Sequence, residues 1–198
     1  MRGIEATFLF GAADATEIWL CRHADCYLDM EAKPDPPLSS WGREQAARLA
    51  ERARKTGVDA VYTSNMRRAV ETGEAIGLPV TQDERLREFG NDARSAAEAA
   101  MEADRVAWTE DIEAAQTRIR DALDEIAVRH PGQRVVAIAH GGIILAHLCD
   151  LMHVEFPHLR ILPYYTSVTV IRHRDGKRRV GSIGDTAHLE PISGPPRS

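Results

Sequence analysis

The chain of 198 residues is long enough to form one domain with a sizeable hydrophobic core. Its hydrophobic fraction of 43% and charged fraction of 28% are ordinary for a soluble globular protein. The net charge of −5, from 25 basic and 30 acidic residues, argues against a nucleic-acid binder but permits a local basic pocket for a small anion.

Neither a membrane-spanning segment nor a secretory signal is predicted. The N-terminal apolar patch from Ala6 to Ala13 is too short and poorly flanked for a signal peptide. Three cysteines form no even-numbered disulfide framework, and Cys21 and Cys149 are expected as buried thiols because they lie in apolar segments. We therefore expect a cytoplasmic protein that binds neither membrane nor nucleic acid.

The first part of the chain alternates predicted strands and helices. In chain order they are a strand at Thr16–Arg22, a helix from Ser39 or Ser40 to Thr56, a strand at Asp59–Thr63, a helix at Met66–Ile76 and a brief edge strand at Pro79–Thr81. The first helix is predicted because a serine can cap it, Gly57 ends it, and Trp41, Leu49 and Ala53 share one face.

A charged loop from Gln82 to Arg94, with a turn signal at 90–92, separates this part from the rest. Apolar residues at a period of 3.6 from Ser95 to His130 predict one long helix, or two with a bend near 108–111. The remaining predicted elements are a strand at Gln133–Ala139, an apolar helix from His140 to Met152, and a hairpin of Thr166–His173 and Arg178–Ile183 around Asp175-Gly176. This order predicts one α/β domain at 16–189, between an N-terminal segment (1–15) and a mobile tail (190–198).

Polar residues of similar chemistry follow three of the predicted strands. They are Arg22-His23 after the first strand, Ser64 with Arg67-Arg68 after the second, and His140-Gly141-Gly142 after the strand at 133–139. Ligands of open α/β sheets bind beyond the carboxyl ends of the strands. If these strands are parallel, two histidines and two or three arginines therefore converge on one edge.

This combination of side chains suits a phosphoryl group. Guanidinium groups match phosphate oxygens bidentately, and a glycine-rich helix N-terminus adds backbone N–H donors. One neutral imidazole can attack phosphorus, and a second, protonated imidazole can stabilise charge on the phosphoryl oxygens. Taken singly, Arg22 could be a surface ion pair, Arg68 a solvated helix residue and His23 a structural histidine. Their convergence favours the phosphate site.

Six segments resemble, in the same order, the motifs of the histidine phosphatase superfamily, branch 1, the phosphoglycerate mutase-like proteins. They are "CRHAD" (21–25), "PLSSWGREQA" (37–46), "YTSNMRRAVETGEAI" (62–76), "LREFG" (86–90), "AIAHGG" (137–142) and "GDTAHL" (184–189). The resemblance covers nearly the whole chain from residue 16 to 189. It implies a three-layer α/β/α sandwich with a mostly parallel central sheet.

The resemblance also implies roles for individual residues. His23 is the expected nucleophile, which forms a phosphohistidine. Arg22, Arg68 and His140 are expected to hold the phosphate, with His140 also acting in catalysis. Glu88 is expected to protonate the leaving oxygen and then to activate water.

Three positions depart from the family pattern, and one further histidine has a supporting role. Ala24 replaces the usual glycine, while Asp29 and Tyr165 each stand where many members carry an asparagine. These changes leave the finer contacts of the pocket open. His188, in the C-terminal motif, is expected to support the pocket rather than to react.

Other phosphate and metal chemistries lack their sequence signatures. None of the three cysteines has an arginine six positions later, as the Cys-x5-Arg pattern of cysteine phosphatases requires. Gly176-Lys177 lacks the first glycine of a P-loop. Cys21, His23 and Cys26, with Arg22 between them, would make a poor zinc site. We therefore expect no metal and no cofactor.

The predicted function is a phosphomonoesterase that hydrolyses a small phosphorylated metabolite. The resemblance leaves two alternatives: a phosphoglycerate mutase, although those proteins carry a longer insertion after the acidic residue, and a non-catalytic phospho-ligand-binding or scaffold protein. Arg85, Arg87 and Arg94 either read the rest of the substrate or belong to a solvated loop. The expected partner is a small-molecule phosphate ester, and a homodimer stays open.

Overall fold

The computed structural model of the protein describes residues 15–27, 35–89, 110–156, 158–161 and 163–190. The predictions for Asp29, Arg94 and the turn at 90–92 fall outside these residues, as does the stretch from 95 to 109 of the predicted amphipathic segment. The predicted N-terminal segment as far as residue 14, and the predicted tail from residue 191, also fall outside them.

A six-stranded sheet forms the centre of the described structure. Its strands are β1 (Thr16–Arg22), β2 (Ala60–Thr63), β3 (Val80–Gln82), β4 (Arg134–Ala139), β5 (Val168–Arg174) and β6 (Lys177–Asp185). They lie in the order β3-β2-β4-β1-β5-β6. The first four strands pair in parallel, β5 runs antiparallel to β1, and β6 runs antiparallel to β5. The prediction of a mostly parallel sheet is therefore confirmed.

Four α-helices are described, and each lies where the sequence predicts a helix. They are α1 (Ser40–Thr56), α2 (Arg67–Glu74), α3 (Ile112–Arg129) and α4 (Gly141–Met152). Ser39 is the N-cap of α1, and its side chain accepts a hydrogen bond from the N–H of Gly42. Asp111 caps α3 in the same way, so this helix begins where the sequence predicts a bend.

The hydrophobic core lies on both faces of the sheet, which explains the continuous apolar run from Ile18 to Cys21 in β1. Ile18 and Leu20 belong to the cluster that contains residues of α3 and α4. Trp19 and Cys21 belong to the cluster that contains residues of α1 and α2. Successive side chains of a strand point to opposite faces, so a strand covered by helices on both sides buries every residue. This arrangement is the predicted three-layer α/β/α sandwich.

The hairpin of β5 and β6 closes one side of the sheet. Asp175 and Gly176 form its turn with positive φ angles of 51° and 69°, as a two-residue turn of this type requires. All three cysteines are buried and unbonded, which confirms the prediction for Cys21 and Cys149. No helix in the described ranges is long and apolar enough to cross a membrane.

Candidate active site

The carboxyl ends of β1, β4 and β2 lie side by side in the sheet. Arg22 at the end of β1 is aligned with Ala139 of β4, and Thr63 of β2 is aligned with Ile138. The residues that follow these strands therefore emerge at one edge, and the rings of His23 and His140 have centroids 5.0 Å apart. The convergence predicted from the sequence is confirmed.

The His23 imidazole is held in one tautomer. Its Nδ1 lies 2.8 Å from the carbonyl oxygen of Ala24. Because a carbonyl can only accept, Nδ1 carries the proton and Nε2 keeps its lone pair. Arg68 donates its Nε–H to that lone pair at 3.2 Å. His23 is almost completely buried, and burial, followed by the charges of Arg68 and Arg22, holds its pKa well below the usual value. The ring is therefore neutral at neutral pH, as a nitrogen nucleophile requires.

The guanidinium of Arg22 is fixed on two sides. Its Nη1 donates to the carbonyl oxygen of Pro163 at 3.0 Å, and its Cζ lies 4.0 Å from the centre of the Tyr165 ring. Within the part of the chain that the structure describes, the buried Nε has no hydrogen-bond partner. Since buried charges are normally paired, Arg22 provides a donor suited to an anion beside His23.

Arg68 brings a second buried guanidinium to the same place. Besides its bond to His23, its Nη2 contacts the sulfur of Met66, and its Nη1 lies 3.5 Å from the Oδ1 of Asp35. The side chain is only 2% exposed, although it belongs to the first turn of α2. The alternative of a solvated helix residue is therefore wrong for Arg68, since the side chain points into the protein at the sheet edge.

His140 faces His23 from the N-terminus of α4. Its Nε2 lies 2.9 Å from the hydroxyl oxygen of Ser64, and its buried Nδ1 has no hydrogen-bond partner in the described ranges. Burial, and after it the charges of Arg68, His23 and Arg22, holds its pKa well below the usual value. A phosphoryl dianion bound between these groups would raise that pKa, because a neighbouring negative charge favours the imidazolium.

The Glu88 carboxylate lies against the first turn of α4, the helix that begins directly after His140 in the chain. Its carboxylate accepts hydrogen bonds from the backbone N–H groups of Gly142 and Ile143, both at 2.9 Å, and from that of Phe89 at 3.1 Å. Hydrogen bonds from N–H groups favour the charged form, but burial outweighs them, and the pKa of Glu88 is raised. A raised pKa suits a carboxyl group that donates a proton near neutral pH.

The whole described domain matches one known family. The model of the histidine phosphatase superfamily, branch 1, covers residues 18–186 of the chain. The chain belongs to this superfamily.

The chain is similar over most of its length to the following proteins. Phosphoglycerate mutase-like protein 4 of Arabidopsis thaliana is 30% identical, over 94% of this chain and 92% of the relative. The metal-independent phosphoserine phosphatase of the same organism is 26% identical, over 91% of this chain and 86% of the relative. The solved structure titled Bacillus stearothermophilus YhfR is 29% identical, has a TM-score of 0.74, and covers 89% of this chain and 100% of its own. The family match and the similarity to a phosphoserine phosphatase support phosphatase activity.

Two departures from the superfamily pattern can be assessed in the structure. Ala24 is fully buried and is not among the residues with positive φ, so this position does not need the conformational freedom of glycine. Tyr165 lies against the site, with its ring centroid 5.7 Å from that of His23 and its face over Arg22. The sequence shows that the usual asparagine is absent from this position, but no local pattern indicates that the tyrosine stacks on Arg22.

Arg85 and Arg87, two arginines of the charged loop, differ in their surroundings. Arg85 pairs with Asp83 at 2.7 Å and with Glu125 of α3 at 2.8 Å, so it stabilises the 3₁₀ turn at Glu84–Leu86. The Arg85 guanidinium is thus engaged by carboxylates, which favours a structural role over contact with the substrate. Arg87 is exposed, and its positive charge acts on His140.

His188 is connected to the end of β1 through Thr166. Its Nε2 lies 3.2 Å from the hydroxyl of Thr166, and its Nδ1 lies 3.3 Å from Nη1 of Arg52. Thr166 in turn donates its backbone N–H to the carbonyl oxygen of Arg22 at 3.0 Å. These are the contacts expected of a supporting residue. In the described ranges, no group of three or more His, Cys, Asp or Glu residues is arranged to hold a metal ion.

Proposed function

We propose that the protein is a metal-independent phosphomonoesterase that acts on a small phosphorylated metabolite through a phosphohistidine on His23. The observation that carries this proposal is the fixed tautomer of His23. Its Nδ1–H is bonded to the Ala24 carbonyl, and its Nε2 lone pair points to the side where Arg68 lies. The name of the Arabidopsis metal-independent phosphoserine phosphatase supports the part of the proposal that concerns phosphatase activity without a metal.

In the first step, the His23 Nε2 attacks phosphorus and the bond from phosphorus to the ester oxygen breaks. Glu88 gives its proton to the departing oxygen, so that an alcohol leaves and Glu88 becomes a carboxylate. The raised pKa of Glu88 keeps that proton available. The Gly142 and Ile143 N–H groups then stabilise the carboxylate that remains.

In the second step, Glu88 takes a proton from a water molecule, whose oxygen attacks phosphorus. The bond between phosphorus and Nε2 breaks, inorganic phosphate leaves, and both His23 and Glu88 return to their starting states. Arg22, Arg68 and His140 hold the phosphoryl oxygens in both steps. Their donors are buried, so they stabilise the transition state without competing with bulk water.

Hydrolysis of p-nitrophenyl phosphate in the presence of a chelator tests the proposal. We expect wild-type protein to turn over and His23→Ala to lose at least about 10³-fold in kcat, since it lacks the nucleophile. His158→Ala, at an exposed histidine, is the matched control and should retain full activity. Equal turnover by wild type and His23→Ala would exclude His23 as the nucleophile. No turnover by either, on any phosphate ester tested, would favour the non-catalytic binding protein.

A substrate panel with and without 2,3-bisphosphoglycerate separates hydrolysis from mutase activity. Release of inorganic phosphate from substrate without the bisphosphate supports the phosphatase. Interconversion of 2- and 3-phosphoglycerate that depends on the bisphosphate would support the mutase instead. Trapping of acid-labile phosphate on wild-type protein, and its loss in His23→Ala, tests the intermediate directly.

A further inference from the structure

The loop that follows His23 is held by two buried side chains from different helices. Thr72 lies in α2 and Gln45 in α1, and neither is exposed to solvent. Each makes one hydrogen bond to a backbone N–H of this loop. We refer to Gln45 and Thr72 together as the Ala24 clamp, because they bind the peptide groups on either side of Ala24.

Thr72 connects the loop to the helix that carries Arg68. Its hydroxyl accepts the N–H of Ala24 at 3.0 Å and donates to the carbonyl oxygen of Arg68 at 2.6 Å. A single hydroxyl therefore fixes the backbone next to His23 relative to the backbone of Arg68. The distance between the His23 Nε2 and the Arg68 guanidinium depends on both.

Gln45 acts on the peptide group that sets the tautomer of His23. Its Oε1 accepts the N–H of Asp25 at 2.8 Å. The carbonyl at the other end of the same peptide, that of Ala24, accepts the Nδ1–H of His23 at 2.8 Å. Because a peptide group is planar, fixing its N–H fixes the direction of its carbonyl. Gln45 thus determines where the His23 acceptor lies.

We propose that the Ala24 clamp positions His23 for reaction, by holding the Ala24 carbonyl where it keeps the proton on Nδ1 and the lone pair on Nε2. Gln45 and Thr72 are positioning residues, since they touch only backbone in these contacts and act through His23. The proposal rests on the proposed function for the catalytic role of His23. The new element is that two side chains that do not bind the phosphate set the geometry of the nucleophile.

Paired substitutions at each position test the clamp. Thr72→Val keeps the shape but removes the hydroxyl, whereas Thr72→Ser retains it. Gln45→Met removes the acceptor, whereas Gln45→Glu keeps an oxygen at that place. We expect Thr72→Val and Gln45→Met to lower kcat about 10- to 100-fold, as small misplacements of a reacting group do. We expect Thr72→Ser and Gln45→Glu to stay within about fivefold of wild type, because the hydrogen bond to the loop persists.

Inhibition by inorganic phosphate separates positioning from binding. In the described structure, Thr72 bonds the backbone carbonyl of Arg68, a phosphate-binding residue, whereas the hydrogen bond of Gln45 goes to the loop. The inhibition constant for phosphate should therefore change less than threefold in the two Gln45 variants. A loss of kcat that is equal in Thr72→Val and Thr72→Ser, or a phosphate constant that rises in parallel with the loss of kcat in Gln45→Met, would overturn the proposal.

Nitrogen-15 NMR of the His23 ring gives a readout that does not depend on turnover. In wild type, the shifts should show a protonated Nδ1 and an unprotonated Nε2. In Thr72→Val and Gln45→Met, a shift toward a mixture of tautomers is expected, and an unchanged tautomer would contradict the clamp. This measurement also applies if His23→Ala proves active, so failure of the clamp and failure of the proposed function are distinguishable. If Thr72→Val or Gln45→Met does not fold, the pair of variants at the other position tests the proposal.

Discussion

Glu88 and Gly142 are packed so closely that a Cβ atom at residue 142 would lie 2.6 Å from the Oε1 of Glu88. The carboxylate occupies the space that a side chain would fill, and it bonds the N–H of the same residue. The second glycine of the His140-Gly141-Gly142 segment is thus explained by contact with a residue 54 positions earlier.

Gly142→Ala should therefore displace the Glu88 carboxylate and impair proton donation. We expect kcat to fall about 10- to 100-fold for alkyl phosphates, whose leaving oxygen needs a proton, and much less for p-nitrophenyl phosphate. Steady-state kinetics on both ester types measure the difference. Gly181→Ala, on the edge strand β6, is the control and should change neither rate. An equal loss on both esters would contradict a role for this contact in proton donation.

The dependence of kcat/KM on pH should reflect two shifted groups. His23 has a lowered pKa, so it stays neutral and nucleophilic on the acid side of its usual value of 6.5. Glu88 must be protonated, and its pKa is raised from 4.5, so activity declines as pH rises through that raised value. His23 should therefore support activity on the acid side of pH 6.5, and activity should fall as pH rises through the raised pKa of Glu88, which a pH–rate profile measures.

Glu88→Gln provides the control for this assignment. It should lower kcat on alkyl phosphates by roughly 10²–10⁴-fold, the usual contribution of a general acid, and should remove the alkaline decline. A decline that persists unchanged in Glu88→Gln would assign it to another group.

The free energy of unfolding should decrease in acid because of a buried histidine away from the site. His147 of α4 is fully buried, and neither ring nitrogen has a hydrogen-bond partner in the described ranges. Burial, with the nearby charges of His173 and Arg178, lowers its pKa to about 3, while Asp124 opposes the shift. Between the unfolded value of 6.5 and about 3, the unfolded chain binds the extra proton. The contribution of His147 to the free energy of unfolding is thus fully present above pH 6.5. It decreases as pH drops from 6.5 towards about 3, by up to about 1.4 kcal/mol per pH unit.

His147→Leu should flatten this dependence by about one proton. Urea unfolding at several pH values between about 4 and 7 gives the slope of the free energy of unfolding against pH. His173, whose pKa is lowered to about 4, contributes a second proton that the variant retains. An identical slope in wild type and His147→Leu would show that His147 does not titrate on unfolding.

Tyr165 should contribute to phosphate binding through its stacking on Arg22. A cation over an aromatic ring is stabilised by about 0.5–2 kcal/mol, so Tyr165→Leu should raise the inhibition constant of inorganic phosphate about 2- to 30-fold. Tyr165→Phe keeps the ring and should stay within twofold of wild type. If Phe and Leu weaken phosphate equally, the phenol rather than the stacking is responsible.

The sequence by itself determined the fold class, the order of the elements and the place of the site. Short apolar runs predict the strands of a sheet covered on both faces, and the 3.6-residue apolar period predicts the helices, because both patterns follow from local backbone geometry. The residues at the strand ends, Arg22-His23 and His140, were identified for the same reason: parallel strands bring their carboxyl ends to one edge. Ser39 and Gly57 likewise bound α1 through local capping.

Only the tertiary structure decided which side chains touch. Glu88 reaches the N-terminus of α4, and Tyr165 stacks on Arg22 across a separation of well over a hundred residues. Arg85, which had the same local character as other loop arginines, pairs with Asp83 and Glu125. Such contacts depend on the packing of distant segments, because a side chain's partner is set by which elements the fold places beside it. Local sequence patterns therefore do not indicate which distant side chains make contact.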